Sequence, residues 1–221
     1  MLPRRPSVAL LGRALSFIAP PFCWACGGDA PESEPLCRGC RRELRWLGAD
    51  PVTLEGIDTW APVSYEGPAR ALVGALKFKG AAGLAAPMAA QIVAGSPARL
   101  IAAGTALVPV PLHPSRARRR GFNQAERIAA QIAGRTDVQV EDCLCRRGPA
   151  RARQVGRGRS ERLAGIAGAV TLRRGGPRPA DVVLVDDVVT TGATLAACAA
   201  ALAAAGVRAI GALAYARTPG R

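Results

Sequence analysis

The sequence is poor in histidine, lysine, methionine and aromatic side chains. Its 221 residues include one His, two Met, two Tyr, three Trp and four Phe. The single histidine, His113, has no matched acid and nucleophile, which excludes a serine- or cysteine-type triad; a packing or solvent-exposed role is expected for it. No Gly-Lys-Ser/Thr is present, which excludes a Walker phosphate loop. No apolar run is long and charge-free enough to span a bilayer. The segment from Met1 to Pro21 imitates a secretion signal, with Arg4 and Arg5 ahead of Val8–Leu11. Arg13 interrupts its apolar stretch, and no small-x-small cleavage site stands before Cys23, so it reads as an amphipathic helix packed on the body of a cytoplasmic protein. Acids are also scarce: 16 Asp and Glu face 30 Lys and Arg, a formal net charge of +14. A polyanion or a multiply phosphorylated ligand is the natural partner for such a surface, and an arginine-biased composition is the plain alternative. Only Lys77 and Lys79 are lysines; the other 28 basic residues are arginines. Where arginine is the default, a retained lysine stands out.

What is abundant is apolar, 49% of the chain, enough for one main domain and a small module. The chain is organised around residues 182–195. Val182 to Val185 form a β-branched run that reads as a parallel strand buried on both faces. Asp186 and Asp187 follow at its carboxyl end. Then come Thr190, Thr191, Gly192, Ala193 and Thr194, small and rich in hydroxyls, and an alanine-rich helix to about Ala205 with Gly206 as its stop. Ligands of open parallel sheets sit beyond the carboxyl ends of the strands, and a helix start offers free N–H groups to a phosphate. Two acids beside a phosphate cradle make sense facing sugar hydroxyls or a Mg²⁺ ion. The implied ligand is a ribose bearing a 5′-phosphate; an ordinary strand-to-helix turn is the alternative.

This stretch resembles the phosphoribosyl diphosphate (PRPP) signature of type I phosphoribosyltransferases. The resemblance implies that Asp186 and Asp187 contact the ribose hydroxyls and that Thr190–Thr194 hold the 5′-phosphate.

Seven cysteines are present, four of them as Cys23-x-x-Cys26 and Cys37-x-x-Cys40. Two such knuckles place four thiolates within reach of one structural zinc ion. Disulfides are the alternative, but nothing else points to export. Gly27 and Gly39 suit the knuckle turns, and Trp24 and Trp46 are expected to cover the module. Cys143, Cys145 and Cys198 read as packing residues.

Between these landmarks, residues 57–65 read as an extended or edge strand limited by Pro62. Gly67-Pro68 opens a helix with the stripe Ala69, Leu72, Val73, Leu76, ending at Lys77-Phe78-Lys79-Gly80. A second helix spans about 82–95, started or kinked by Pro87. A strand at 105–110 leaves through Pro111, and the basic run 116–120 reads as a solvated loop or as guanidiniums for a diphosphate. Helix 123–133 has Asn123 as cap and Glu126 at capping-box spacing. Strands follow at 138–144, 168–172 and 207–214, and 146–162 is arginine-rich without apolar periodicity.

Zinc knuckles, a Lys-Phe-x-Gly helix end, Val-Pro-Val-Pro with Arg-Arg-Gly-Phe-Asn-Gln, and then the acid–threonine signature: in this order the chain resembles the ComF family. These are amidophosphoribosyltransferase-like proteins, several associated with DNA uptake. The resemblance implies a type I phosphoribosyltransferase fold, a Rossmann-like α/β parallel sheet flanked by helices, with an N-terminal four-Cys zinc ribbon. Its expected divisions are a helix at 1–21, the ribbon at 22–50 and the main domain at 55–221. It implies Zn²⁺ as structural metal and Mg²⁺ with PRPP. It gives the pyrophosphate to Lys77, Arg119, Arg120 and Asn123, and places Gln154 and Arg159 in a mobile hood over the substrate. The chain departs from the family pattern at Gly165 and Val170, where an Asn and a Phe are usual. Three functions are expected to compete: a phosphoribosyltransferase of unknown acceptor, a non-catalytic accessory of DNA uptake binding single-stranded DNA or the competence machinery, and a PRPP-responsive regulator.

Overall fold

The computed structural model describes residues 22–146 and 170–219. The expected N-terminal helix and the hood residues Gln154 and Arg159 lie outside them. In chain order the elements are α1 (Arg38–Arg42), β1 (Val52–Leu54), β2 (Ile57–Trp60), β3 (Val63–Ser64), α2 (Gly67–Phe78), α3 (Ala85–Gly95), β4 (Ala106–Pro109), α4 (Pro114–Arg120), α5 (Gln124–Ala133), β5 (Gln139–Val140), β6 (Leu144–Arg146), β7 (Val170–Leu172), β8 (Asp181–Val189), α6 (Ala193–Ala203) and β9 (Arg208–Arg217).

Seven strands form one sheet in the order β1-β2-β9-β8-β4-β5, with β3 also on β9. All its pairings are parallel except the β1–β2 hairpin. β6 and β7 make a separate antiparallel pair. The fold is therefore mixed α/β, a mostly parallel sheet flanked by helices. β8 carries it because its side chains are apolar on both faces, as a parallel strand covered from both sides requires. Val183 and Val185, with Leu213 and Tyr215 of β9, pack under Leu72, Leu76, Met88, Ile92 and Ile128 of α2, α3 and α5. Val182 and Leu184, with Ala212 and Ala214, pack under Leu195, Cys198 and Leu202 of α6. Cys23, Leu36, Cys40 and Leu44 belong to the first of these clusters, so the cysteine segment shares its core with α2 and α3.

Several expectations are corrected. β8 does not stop at Val185 but runs through both acids to Val189, because β9 continues to pair with it as far as Arg217. The 57–65 segment is not an edge strand: β2 lies between β1 and β9, and the chain breaks at Pro62, which has no N–H for the ladder. The 138–144 strand divides into β5, on the main sheet, and β6, off it. Trp46 is 54% exposed, so it does not roof the cysteine module as Trp24, packed on the core, does.

The basic run is a short helix, α4, rather than a loop. Pro114 pre-sets its first turn, and His113 caps it, Nδ1 accepting from the Ser115 N–H at 3.2 Å. Gly121 ends it at φ 80°. No helix among the described residues is long and apolar enough to cross a membrane.

Candidate anion and metal sites

The principal site begins where β4 ends. Val110 N–H still donates to the Val185 carbonyl at 2.9 Å, but Pro111 has no donor and the chain turns away. Beyond Val185, β8 therefore keeps β9 on one side and has an open crevice on the other. The crevice lies at a topological switch point: the chain moves outward from β4 to β5 in one direction and from β8 to β9 in the other.

Both acids of the pair stand on β8 facing this crevice, from opposite sides of the sheet. Successive side chains of a strand alternate, so Asp187 shares the face of Val183 and Val185, beneath α2, and Asp186 that of Val182 and Leu184, beneath α6. Lys77, in the last turn of α2, meets Asp187 with Nζ 2.8 Å from Oδ1; the two side chains are 21% and 7% exposed. Asp186 is half-buried, and its Oδ1 accepts the Asp187 N–H at 2.8 Å. Burial raises the Asp186 carboxyl to about 8, the neighbouring Asp187 charge adding to the rise and Lys77 opposing it.

The opposite wall comes from α4 and the start of α5. Arg120 donates through Nη1 to Gln124 Oε1 at 2.8 Å, and its guanidinium lies 5.0 Å from the centre of the Phe78 ring. Its Nε is buried with no partner among the described residues. Burial lowers the Arg120 pKa and the Asp187 charge opposes that. Asn123 ties the wall together: Oδ1 caps α5 from the Ala125 N–H, and Nδ2 donates to the Val110 carbonyl, both at 3.1 Å.

The resulting cavity, about 170 Å³, is lined by Lys77, Arg116, Arg120 and Arg146 against Asp186 and Asp187. It also reaches Asn123 and Thr194. Arg119 is exposed and does not line it. Arg116, Arg146 and Gln124 do; Arg116 belongs to the basic run offered to a diphosphate but is not singled out within it, and sequence reasoning missed Arg146 and Gln124. Arg116 and Arg120 are four apart and share a face once α4 is known to be helical; nothing in the sequence marked Arg146.

An adjoining hollow is formed by Thr190, Thr191, Gly192, Ala193 and Thr194 at the start of α6, and it shares Asp186 and Val188 with the crevice. Thr190 and Thr191 are exposed and Thr194 is half-buried. Gly192 sits at φ 83°, and a Cβ there would come within 2.8 Å of Leu54 Cβ and 3.2 Å of its backbone. Glycine is thus required here by the backbone twist and by β1. A larger groove of about 480 Å³, lined by Trp46, Trp60, Pro62 and Ala90, carries no ionisable side chain. Reactive and charge-binding groups converge on the crevice instead.

The second site is the cysteine segment. The four Sγ atoms of Cys23, Cys26, Cys37 and Cys40 lie within 4.8 Å of one another, and none is in a disulfide. Cys26 and Cys37 Sγ are 3.8 Å apart. A tetrahedron with metal–sulfur bonds of about 2.3 Å has edges of roughly 3.8 Å, so this spacing suits four ligands around one ion. Burial raises the Cys23 thiol, but backbone hydrogen bonds from Cys26, Cys37 and Ala25 outweigh it and draw the pKa down to about 6. Those donors favour the thiolate that a metal needs. The cluster can hold one metal ion and is compatible with a zinc ribbon.

Fold and sites together define an α/β protein with a cation-lined acidic crevice at its switch point and a four-thiol cluster able to hold a metal ion. No family profile matches the chain. Over 189 residues it is 26% identical to Competence protein F of Haemophilus influenzae, a match covering 79% of this chain and 75% of that protein. This likeness supports a distant assignment to the ComF family.

Proposed function

We propose that this is a competence-related protein whose crevice binds PRPP, or a related ribose 5-phosphate ligand, with Mg²⁺. The observation that carries the reading is the convergence, at the switch point, of two carboxylates, four cationic side chains and a threonine-lined helix start. In this reading Asp186 and Asp187 take the ribose hydroxyls, and carboxylate oxygens are also the donors a Mg²⁺ ion prefers. The N–H groups and hydroxyls of Thr190–Thr194 take the 5′-phosphate. Lys77 and Arg120, joined by Arg116, which lines the crevice where Arg119 does not, take the diphosphate, with Asn123 tying the start of α5 to Val110. Where turnover occurs, it is pentosyl transfer with loss of pyrophosphate, and the protein acts by positioning and electrostatics. The four-thiol cluster holds structural Zn²⁺, since four protein ligands leave no open position.

Calorimetric titration of PRPP with Mg²⁺ into the wild type and the Asp186→Asn, Asp187→Asn double variant tests the site. Binding to the wild type and its loss in the double variant are expected; equal affinity in both rejects the assignment. Pyrophosphate release with a panel of nitrogen acceptors then separates an enzyme from a sensor.

A second reading, single-stranded DNA binding, is supported by Phe78. This ring is 68% exposed, backed by Arg120 of the crevice wall and flanked in sequence by Lys77 and Lys79. An aromatic platform among cations suits base stacking. DNA affinity that falls steeply with salt and weakens in Phe78→Ala supports it.

A further inference from the structure

Asp187 is already taken. Its carboxylate is 7% exposed and is held by Lys77, so it is not free to meet a sugar hydroxyl or a metal ion. A buried carboxylate needs a counter-charge at all times, because an unpaired one carries a heavy desolvation penalty. The counter-charge here has unusual properties. Lys77 makes one contact with Asp187, at 2.8 Å, and its side chain also lines the cavity. Arginine would grip a carboxylate with a two-pronged fork; lysine is a point charge on a flexible stem. Twenty-eight of thirty basic residues in this chain are arginine, yet this position is lysine. Three further cations, Arg116, Arg120 and Arg146, line the same cavity, so it stays attractive to an anion while Lys77 is engaged.

We propose that Lys77 is an exchangeable counter-ion: in the empty crevice it neutralises Asp187, and an entering diphosphate group draws it away and leaves Asp187 to the divalent cation or hydroxyl that arrives with the ligand. The inference rests on the reading of the crevice as a diphosphate site. Its consequence is coupling. Anion and cation bind reluctantly alone and favourably together, and by linkage each raises the affinity of the other by the same factor. Lys77 acts as a specificity residue that admits the metal–diphosphate pair over either component.

The test uses the full chain with its cysteine cluster metal-loaded, and two probes titrated separately by calorimetry: inorganic pyrophosphate without divalent metal, and Mn²⁺ as a stand-in for Mg²⁺. Lys77→Met is expected to raise Mn²⁺ affinity about tenfold and lower pyrophosphate affinity about tenfold, within the usual range of such couplings. Asp187→Asn is expected to do the reverse, abolishing Mn²⁺ binding in the crevice and strengthening pyrophosphate binding; it carries the test if Lys77→Met does not fold. Lys77→Arg keeps the charge and is expected to lower Mn²⁺ affinity by clamping Asp187, which a merely structural ion pair would not do. Shifts of the two probes in the same direction, or Mn²⁺ binding by Lys77→Arg equal to wild type, overturn the exchange while leaving the diphosphate site intact. Failure of wild type to bind pyrophosphate at all overturns both.

Discussion

Asp186→Asn is expected to stabilise this protein, and increasingly so as the pH rises. The folded protein holds the Asp186 proton up to about 8, against an ordinary value of 3.8 in the unfolded chain. Because the folded-state pKa is raised, the protonated carboxyl contributes its full stability below the unfolded value. That contribution drains away as pH climbs through the interval, since the unfolded chain ionises while the folded one does not. Each unit of the interval is worth about 1.4 kcal/mol at most. Between about pH 5.5 and pH 8 the ceiling is roughly 3 kcal/mol, and a side chain lining an open crevice should realise about 2. Asparagine keeps the shape and the oxygen that accepts the Asp187 N–H. The gap in Tm between variant and wild type should therefore widen by about 4–8 °C across that range, at 2–4 °C per kcal/mol for a chain of this size. Thermal melts of both proteins in a series of buffers, with zinc present throughout, measure it. A gap that stays flat, or closes as pH rises, refutes the reasoning, since it would mean that Asp186 is ionised in the folded protein and balanced by its surroundings.

Other outcomes follow from the same structure. Cys37→Ser is expected to lose the metal from the cysteine cluster and loosen the segment around α1, read by metal analysis of freshly purified protein and by limited proteolysis; no metal in the wild type would count against the cluster's role. Gly192→Ala should destabilise by about 2 kcal/mol or more, from the left-handed backbone and the clash with Leu54, with a matching fall in urea midpoint. Tyr215→Phe should be neutral or stabilise by about 1 kcal/mol, because the Tyr215 hydroxyl is buried without a partner among the described residues; a clear loss of stability would show that the hydroxyl is satisfied.

The parts of this fold that were legible were those governed by local chemistry. The Val182–Val185 run, the Gly67-Pro68 helix start and the Asn123 cap each declare themselves within a few residues, and the paired CxxC spacing does so for the metal cluster. What escaped depended on partners far along the chain. Aspartate is disfavoured in strands, so the run appeared to end at Asp186; β9, pairing as far as Arg217, carries the strand on. The 116–120 run has no apolar stripe, so only the His113 cap and Gly121 stop reveal it as helix, and with it the choice of Arg116 and Arg120 over Arg119. Arg146 enters the crevice through β6, a strand whose partner, β7, begins 24 residues later.

The extension of β8 through the acids changes what the pair can do. On a loop, two adjacent carboxylates would share one wet environment and differ little. On a strand, alternation sends them to opposite faces, and each face supplies its own surroundings. Asp187 turns toward α2 and finds Lys77, so its charge is neutralised by a partner. Asp186 turns toward α6, beside Cys198 and the apolar floor, and burial there raises its carboxyl pKa to about 8. The two carboxyls thus sit side by side across one backbone in different surroundings, Asp186 pushed toward its protonated form by burial and Asp187 paired with Lys77. A vicinal diol has donors and acceptors in the same close pairing, and in the proposed reading a metal ion entering with an anion takes the place of the lysine on Asp187. Both environments are set by the register that places residues 186 and 187 on β8 one step past the end of β4.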